Sequence, residues 1–79
     1  MTMKSIFTKE YAALMEVLAR ARKAQDLSQQ AVAERLGKPQ SFVSKYESSE
    51  RRLDVIEFFA VAKALGCQPL ELLRQAGLV

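Results

Sequence analysis

Apolar residues recur at intervals of three and four positions along most of the chain, without alternating β-branched runs. This spacing places apolar side chains on one face of a helix, so it predicts a protein built from amphipathic helices. Thr8 is suited to cap a first helix, predicted at about residues 9–25. The apolar face of this helix consists of Tyr11, Leu14, Leu18 and Ala21.

Two short helices with a tight turn between them are predicted at residues 28–48. Ser28 is a suitable cap for the first of them. Its inner face consists of Val32, Ala33 and Leu36. Gly37 favours the end of this helix, and Pro39 prevents its simple continuation. The next helix is predicted at about residues 40–48, so the segment has the form of a helix-turn-helix.

A fourth and a fifth helix are predicted after this pair. Asp54 and Glu57 have the spacing of a capping box, which marks the beginning of the fourth helix. Gly66 favours its end. Pro69 suits the first turn of a fifth helix, predicted at about residues 69–75.

The pattern as a whole predicts an all-α fold, a compact five-helix bundle. A chain of 79 residues is long enough for one domain, residues 1–79, and buries only about 60% of its unfolded surface. Residues 1–7 are expected to be loose, although Ile6 and Phe7 could dock on the core.

The composition argues against several classes of chemistry. Histidine is absent and Cys67 is the single cysteine, so neither a Cys/His zinc site nor an intrachain disulfide is expected. Nucleophile and base sets are correspondingly scarce, so we expect no enzyme, no cofactor and no metal. The N-terminus does not resemble a secretory signal, and no apolar run approaches the length of a membrane span. A cytoplasmic protein without a membrane partner is expected.

Basic residues are concentrated in the middle of the chain. Residues 20–52 contain eight basic and four acidic side chains, a net charge of +4, whereas the whole chain carries +3. The remaining residues therefore carry −1. This asymmetry favours a polyanion as the partner of the central segment.

The predicted third helix has two different faces. Val43, Tyr46 and Glu47 cluster on one side at 100° per residue. The opposite side is small, polar and cationic and consists of Ser41, Ser44, Lys45 and Ser48. Small side chains allow close approach to a DNA groove, and hydroxyl and ammonium groups can contact bases or phosphates. Phe42 could either pack against the second helix or touch a thymine methyl group.

The stretch LSQQAVAERLGKPQSFVSKYE resembles the core of the Cro-type, phage-repressor-like helix-turn-helix family, also called XRE-like. The resemblance spans roughly residues 11–75. It implies a lambda-repressor-like domain that binds double-stranded operator DNA, usually as a two-fold dimer. A transcriptional repressor acting on an inverted repeat is therefore expected.

The resemblance also implies roles for individual residues. Base-reading roles fall on the beginning and outer face of the third helix, at Gln40, Ser41, Ser44 and Lys45. Phosphate contacts are expected from the flanking turns and helix starts, at Gln29, Lys38, Arg51 and Arg52. A structural salt bridge is implied between Arg22 and Glu47.

The chain departs from the family pattern after the third helix. Ser49 stands where glycine is common, and serine adopts a positive φ less readily. The loop 48–53 is therefore expected to differ in shape. Glu50 would repel phosphate if it faced DNA.

The fourth helix and the tail contain more apolar surface than one core stripe needs. Its inward line is predicted to consist of Val55, Phe58, Ala62 and Leu65. A surplus of this kind usually marks an interface. We predict a homodimer interface that includes Ile56, Phe59, Leu72, Leu78 and Val79. Alternatively, the tail folds back over the fourth helix.

A second function is compatible with the same fold. The apolar surplus could serve an unknown protein partner, as in an antitoxin-like or adaptor module. Salt dependence separates the two functions, because DNA binding weakens steeply with salt and apolar docking does not.

Overall fold

The computed structural model describes residues 8–79 and contains five helices within them. These are α1 (Lys9–Ala24), α2 (Gln29–Leu36), α3 (Gln40–Glu47), α4 (Val55–Leu65) and α5 (Pro69–Gln75). The all-α, five-helix prediction is confirmed, and α1 and α3 each end one residue earlier than predicted. The expectations for residues 1–7, including docking of Ile6 and Phe7, lie outside the described residues.

Local hydrogen bonds explain where the helices begin. The Thr8 hydroxyl accepts from the Tyr11 N–H at 3.2 Å, and the Ser28 hydroxyl accepts from the Ala31 N–H at 3.0 Å. At α4 the capping box is complete. The Asp54 carboxylate accepts from the Glu57 N–H at 2.7 Å, and the Glu57 carboxylate accepts from the Asp54 N–H at 3.0 Å. These caps satisfy N–H groups that lack partners inside the helix.

The core lies where all five helices meet. α2 packs against α3 and α4, while α1 packs against α3, α4 and α5. The largest fully buried side chains come from every helix and are Tyr46, Met15, Leu18, Leu65, Leu72, Val32, Val43 and Val61. Within residues 8–79, no helix is both long and apolar enough to cross a bilayer.

Two apolar residues lie in environments other than the predicted ones. Leu72 is only 1% exposed, because α5 packs this side chain into the core, and it is therefore removed from any exposed dimer surface. Val55 is 66% exposed although it shares the angular face of Ala62. It lies in the first turn of α4, at the border of an open groove, so no neighbouring helix covers it.

The loop after α3 contains a serine in the left-handed region. Ser49 has φ of +66°, and its N–H donates to the Tyr46 carbonyl at 3.1 Å. Serine here takes the conformation for which glycine is better suited. The expected difference in the shape of the loop 48–53 stays a prediction. A non-glycine residue in this region costs about 1–3 kcal/mol.

Replacing Ser49 by glycine is expected to raise the free energy of unfolding by about 1 kcal/mol, since relief of the left-handed strain exceeds the extra entropy of an unfolded glycine. Urea unfolding measures the change. Ser48→Gly is the matched control, because Ser48 has φ of −88° and its hydroxyl is bonded to the Lys45 carbonyl. An equal effect of the two substitutions would contradict the strain at Ser49.

Candidate nucleic-acid interface

The turn between α2 and α3 is built from glycine and proline. Gly37 has φ of +68°, and the Lys38 N–H donates to the Ala33 carbonyl at 3.0 Å, which closes the end of α2. Pro39 has φ of −69° and precedes α3, where its carbonyl accepts from the Phe42 N–H at 2.9 Å. α3 therefore begins a few residues after α2 ends, in a new direction.

The two faces of α3 differ as the sequence predicts. Val43 and Tyr46 are buried. On the other face Gln40, Ser41 and Lys45 are exposed, and Ser44 is half-buried. Phe42 is 9% exposed and meets the ring of Tyr46 edge-on at 5.7 Å, so it packs rather than facing a base. The exposed face offers amide, hydroxyl and ammonium groups without a long acidic side chain.

A buried ion pair holds α3 against α1. Arg22 Nε and Nη2 donate to the two carboxylate oxygens of Glu47 at 2.7 and 3.0 Å, as the family resemblance implies. Arg22 Nη1 donates to the Leu27 carbonyl at 2.8 Å. The two side chains are 11% and 8% exposed, and hydrogen bonding to Glu47 raises the pKa of Arg22. The end of α1, the start of α2 and the end of α3 are thereby joined.

Gln29 connects this ion pair to the start of α3. Its Nε2 donates to Glu47 Oε1 at 2.9 Å, and its Oε1 accepts from Gln40 Nε2 at 2.6 Å. The Gln29 amide, predicted to contact phosphate, is thus engaged inside the protein. The hydrogen bond from Gln40 to Gln29 fixes the amide of Gln40. The Oε1 atom of Gln40 and its second N–H remain available for other partners.

Arg51 forms an ion pair within the protein. Its Nη1 and Nη2 donate to the Glu57 carboxylate at 2.9 and 2.8 Å. The guanidinium also lies 4.7 Å from the centre of the Phe42 ring. Lys38 Nζ lies 5.5 Å from the centre of the same ring. The structure thus gives Arg51 a partner within the protein, and its predicted contact with phosphate stays a prediction.

Arg52 and Lys38 keep their charges available. Both are exposed, as is Lys45, and no carboxylate within residues 8–79 forms an ion pair with any of the three. The shared contact of Lys38 and Arg51 with the Phe42 ring places the loop after α3 beside the α2–α3 turn. Lys38 and the polar face of α3 therefore belong to one region of the protein, whereas Arg52 lies over Tyr11 at the border of the groove between α1 and α4.

Tyr11 is a supporting residue that the sequence did not reveal. Its hydroxyl donates to the Arg51 carbonyl at 2.9 Å and accepts from the Leu53 N–H at 3.0 Å. The guanidinium of Arg52 lies over its ring at 4.7 Å. Burial raises the pKa of this hydroxyl. Helical periodicity identified only the apolar side of Tyr11, because its polar partners are about 40 residues away in the chain.

Exposed apolar residues occur on α4, α5 and the tail. Ile56 is 74% exposed, Phe59 50% and Val79 65%, while Leu78 is 37% exposed. Leu70 of α5 is also exposed, as is Val55, which was predicted to face inward. Among residues 8–79, no group of acidic or cysteine side chains has the arrangement of a metal site.

Comparisons with known proteins agree with this geometry. The sequence profile of the helix-turn-helix family matches residues 18–72. The fold is similar to an XRE-family like protein from Pseudomonas syringae pv. tomato str. DC3000, with a TM-score of 0.81 and 48% identity over 86% of this chain and 83% of that one. No match was found among curated protein sequences.

Two further solved structures share the fold. The restriction-modification controller protein C.AhdI from Aeromonas hydrophila has a TM-score of 0.76 and 28% identity, covering 82% of this chain and 98% of that chain. The clp gene regulator ClgR from C. glutamicum has a TM-score of 0.80 at 20% identity, covering 89% and 90%. The last likeness concerns the fold alone.

The fold and the α2–α3 site define a helix-turn-helix protein. The chain belongs to the XRE-type helix-turn-helix family, a family of DNA-binding regulators of transcription.

Replacing Glu57 by glutamine is expected to flatten the loss of stability in acid. Hydrogen bonds from Arg51, and then from the Asp54 N–H, lower the folded-state pKa of Glu57 from 4.5 to about 2. The ionised carboxylate therefore stabilises the fold fully above about pH 4.5, and this contribution is lost as the pH falls through about 2. Urea unfolding at pH values from about 7 to 2.5 measures the difference.

Glu71→Gln is the control for this experiment, because it breaks an exposed ion pair with Arg74 that contributes little to stability. The control is expected to keep the acid profile of the parent protein. If Glu57→Gln lost stability between about pH 5 and 2.5 as steeply as the parent, the Arg51–Glu57 pair would not be the source of the acid sensitivity.

Proposed function

We propose that this protein is a sequence-specific repressor that binds an inverted-repeat operator as a dimer. The observation that supports it best is the Gln29–Gln40 hydrogen bond of 2.6 Å at the beginning of the exposed face of α3. It orients an exposed amide at the position from which a recognition helix reaches base edges in the major groove.

The amide of Gln40 is suited to adenine. One of its N–H groups is bonded to Gln29, which leaves Oε1 to accept from adenine N6 and the second N–H to donate to N7. Ser41 and Ser44 add hydroxyl groups along the same face, and Lys45 can meet guanine or a phosphate. These four residues form the proposed base-reading surface.

Phosphate contacts hold this surface in register. Lys38 and Arg52 are the exposed cations beside α3, and each offers a charge to the DNA backbone. Gln29 contributes through its backbone N–H in the first turn of α2, since its side chain is engaged with Glu47 and Gln40.

A second copy of the chain covers the exposed apolar residues Ile56, Phe59, Leu78 and Val79. Burial of apolar surface is the usual driving force for such association. A two-fold dimer places its recognition helices about one DNA turn apart, roughly 34 Å, and so requires an inverted repeat. A dimer seated on an operator that overlaps a promoter excludes the polymerase, which gives repression.

Selection from a random duplex library at about 150 mM salt tests this function. Enrichment of an inverted repeat with half-sites about 10 base pairs apart is expected. Enrichment of a single half-site would support sequence-specific DNA binding and contradict binding as a dimer. Without enrichment, the protein-interaction function would replace the proposal. Transcription in vitro from a promoter containing the enriched site distinguishes repression from activation.

Replacing Gln40 by alanine is expected to weaken binding to the selected site by about 1–3 kcal/mol and to relax the preference at one base pair, because alanine cannot make the bidentate hydrogen bonds to adenine. Fluorescence anisotropy on the selected site and on random duplex measures both effects. Equal losses on the two DNAs would contradict base reading by Gln40. Arg52→Gln serves as the contrast and should weaken binding to both DNAs.

Replacing Ile56 by aspartate is expected to give a monomer, because a charge would be buried at the interface. Sedimentation at micromolar concentration measures the mass against the 8.9 kDa of one chain. Ala12→Asp adds the same charge at an exposed position of α1 and should leave the dimer intact. A parent protein that sediments as a monomer would contradict the dimer.

A further inference from the structure

A single side chain ties the loop after α3 to α1. The Tyr11 hydroxyl donates to the carbonyl of Arg51 and accepts from the N–H of Leu53, at 2.9 and 3.0 Å. Both partners are main-chain groups, and they lie on either side of Arg52. The backbone on both sides of Arg52 is therefore bonded to one nearly buried tyrosine, and the Arg52 carbonyl itself accepts from Arg51 Nη1 at 3.1 Å.

The same tyrosine also supports the head group of Arg52. The guanidinium lies 4.7 Å from the centre of the Tyr11 ring, a distance at which a cation is attracted to the face of an aromatic ring. The other side of a planar guanidinium supported in this way, and its N–H edge, remain open to a phosphate. Tyr11 thus contacts both the backbone on either side of Arg52 and its guanidinium.

Arg51, the residue before Arg52, has its guanidinium bound to a carboxylate of the protein. Arg51 is held by two hydrogen bonds to Glu57 and by the Phe42 ring, so its charge is used within the protein. Arg52 contacts an aromatic ring but no carboxylate of residues 8–79. Of the two adjacent arginines, only the second is without a carboxylate partner among residues 8–79, so its charge is the one left for an external anion.

We propose that Tyr11 is a positioning residue for DNA binding, which acts by holding Arg52 against the phosphate backbone. This inference rests on the proposed function. Its ligand is the phosphate backbone of duplex DNA, and Tyr11 contributes no base contact. The contribution of Tyr11 to binding must therefore pass through Arg52.

A double-mutant cycle tests this dependence. Parent, Tyr11→Phe, Arg52→Gln and the double variant are titrated with random duplex DNA by fluorescence anisotropy at several salt concentrations. Phenylalanine keeps the ring and removes both hydrogen bonds. Arg52→Gln should lower affinity and reduce the slope of log affinity against log salt by about 0.9 for each phosphate that is no longer neutralised. Tyr11→Phe should weaken binding by roughly threefold or more in the parent and leave the Arg52→Gln variant unchanged.

Tyr46→Phe is the matched control, because it removes the same atom from the other tyrosine of the chain, which has no contact with Arg52. Its effect should be the same factor in both backgrounds. Arg20→Gln controls for loss of one exposed charge, on the side of α1 that faces α5. Thermal unfolding of every variant establishes that binding is measured on folded protein.

Each other result overturns the inference in a recognisable way. Equal losses from Tyr11→Phe in both backgrounds, or no loss in the parent, would show that Tyr11 does not act through Arg52, and would leave the proposed function standing. If Arg52→Gln left the affinity and the salt slope unchanged, Arg52 would not contact a phosphate at all. A parent protein that binds no duplex DNA would refute the proposed function as well.

Discussion

The buried ion pair between Arg22 and Glu47 constrains the orientation of α3 relative to α1. Transfer of two such charges from water into the protein costs several kcal/mol for each ion, so a bidentate geometry with additional hydrogen bonds is needed to offset it. The structure supplies these partners, with the Leu27 carbonyl on the arginine and the Gln29 amide on the carboxylate. Three helix ends are thereby joined at one point, and rotation of α3 would leave the buried Arg22 guanidinium without its carboxylate partner.

The ion pair acts on the DNA-facing surface through two glutamines. Gln29 joins the buried carboxylate of Glu47 to the exposed amide of Gln40. An exposed glutamine normally loses side-chain entropy when it binds. Here part of that ordering has already occurred on folding, so a specific contact with a base is less costly. The exposed Gln40 at the start of α3 is thus linked to the buried ion pair through Gln29.

The cations beside α3 are organised by aromatic rings. Phe42 contacts both Lys38 and Arg51, and Tyr11 contacts Arg52. Such contacts hold a charge in place without neutralising it, whereas the Glu57 carboxylate neutralises Arg51. A count of basic residues therefore overstates the unpaired charge of this loop, because Arg51 has a carboxylate partner and the adjacent Arg52 has none among residues 8–79.

The sequence by itself determined the five helices, their caps at Thr8, Ser28 and Asp54, and the polar outer face of α3. These features depend on residues three or four positions apart, whose geometry the helix itself dictates. Only the tertiary structure decided that Arg51 pairs with Glu57 and that Tyr11 holds the loop around Arg52. It also decided that Leu72 is buried and Val55 exposed, since burial depends on which other helix covers each position. Other carboxylates, such as Glu50 and Asp54, also lie near Arg51 in the sequence. The packing of α4 against the loop determines that Arg51 pairs with Glu57.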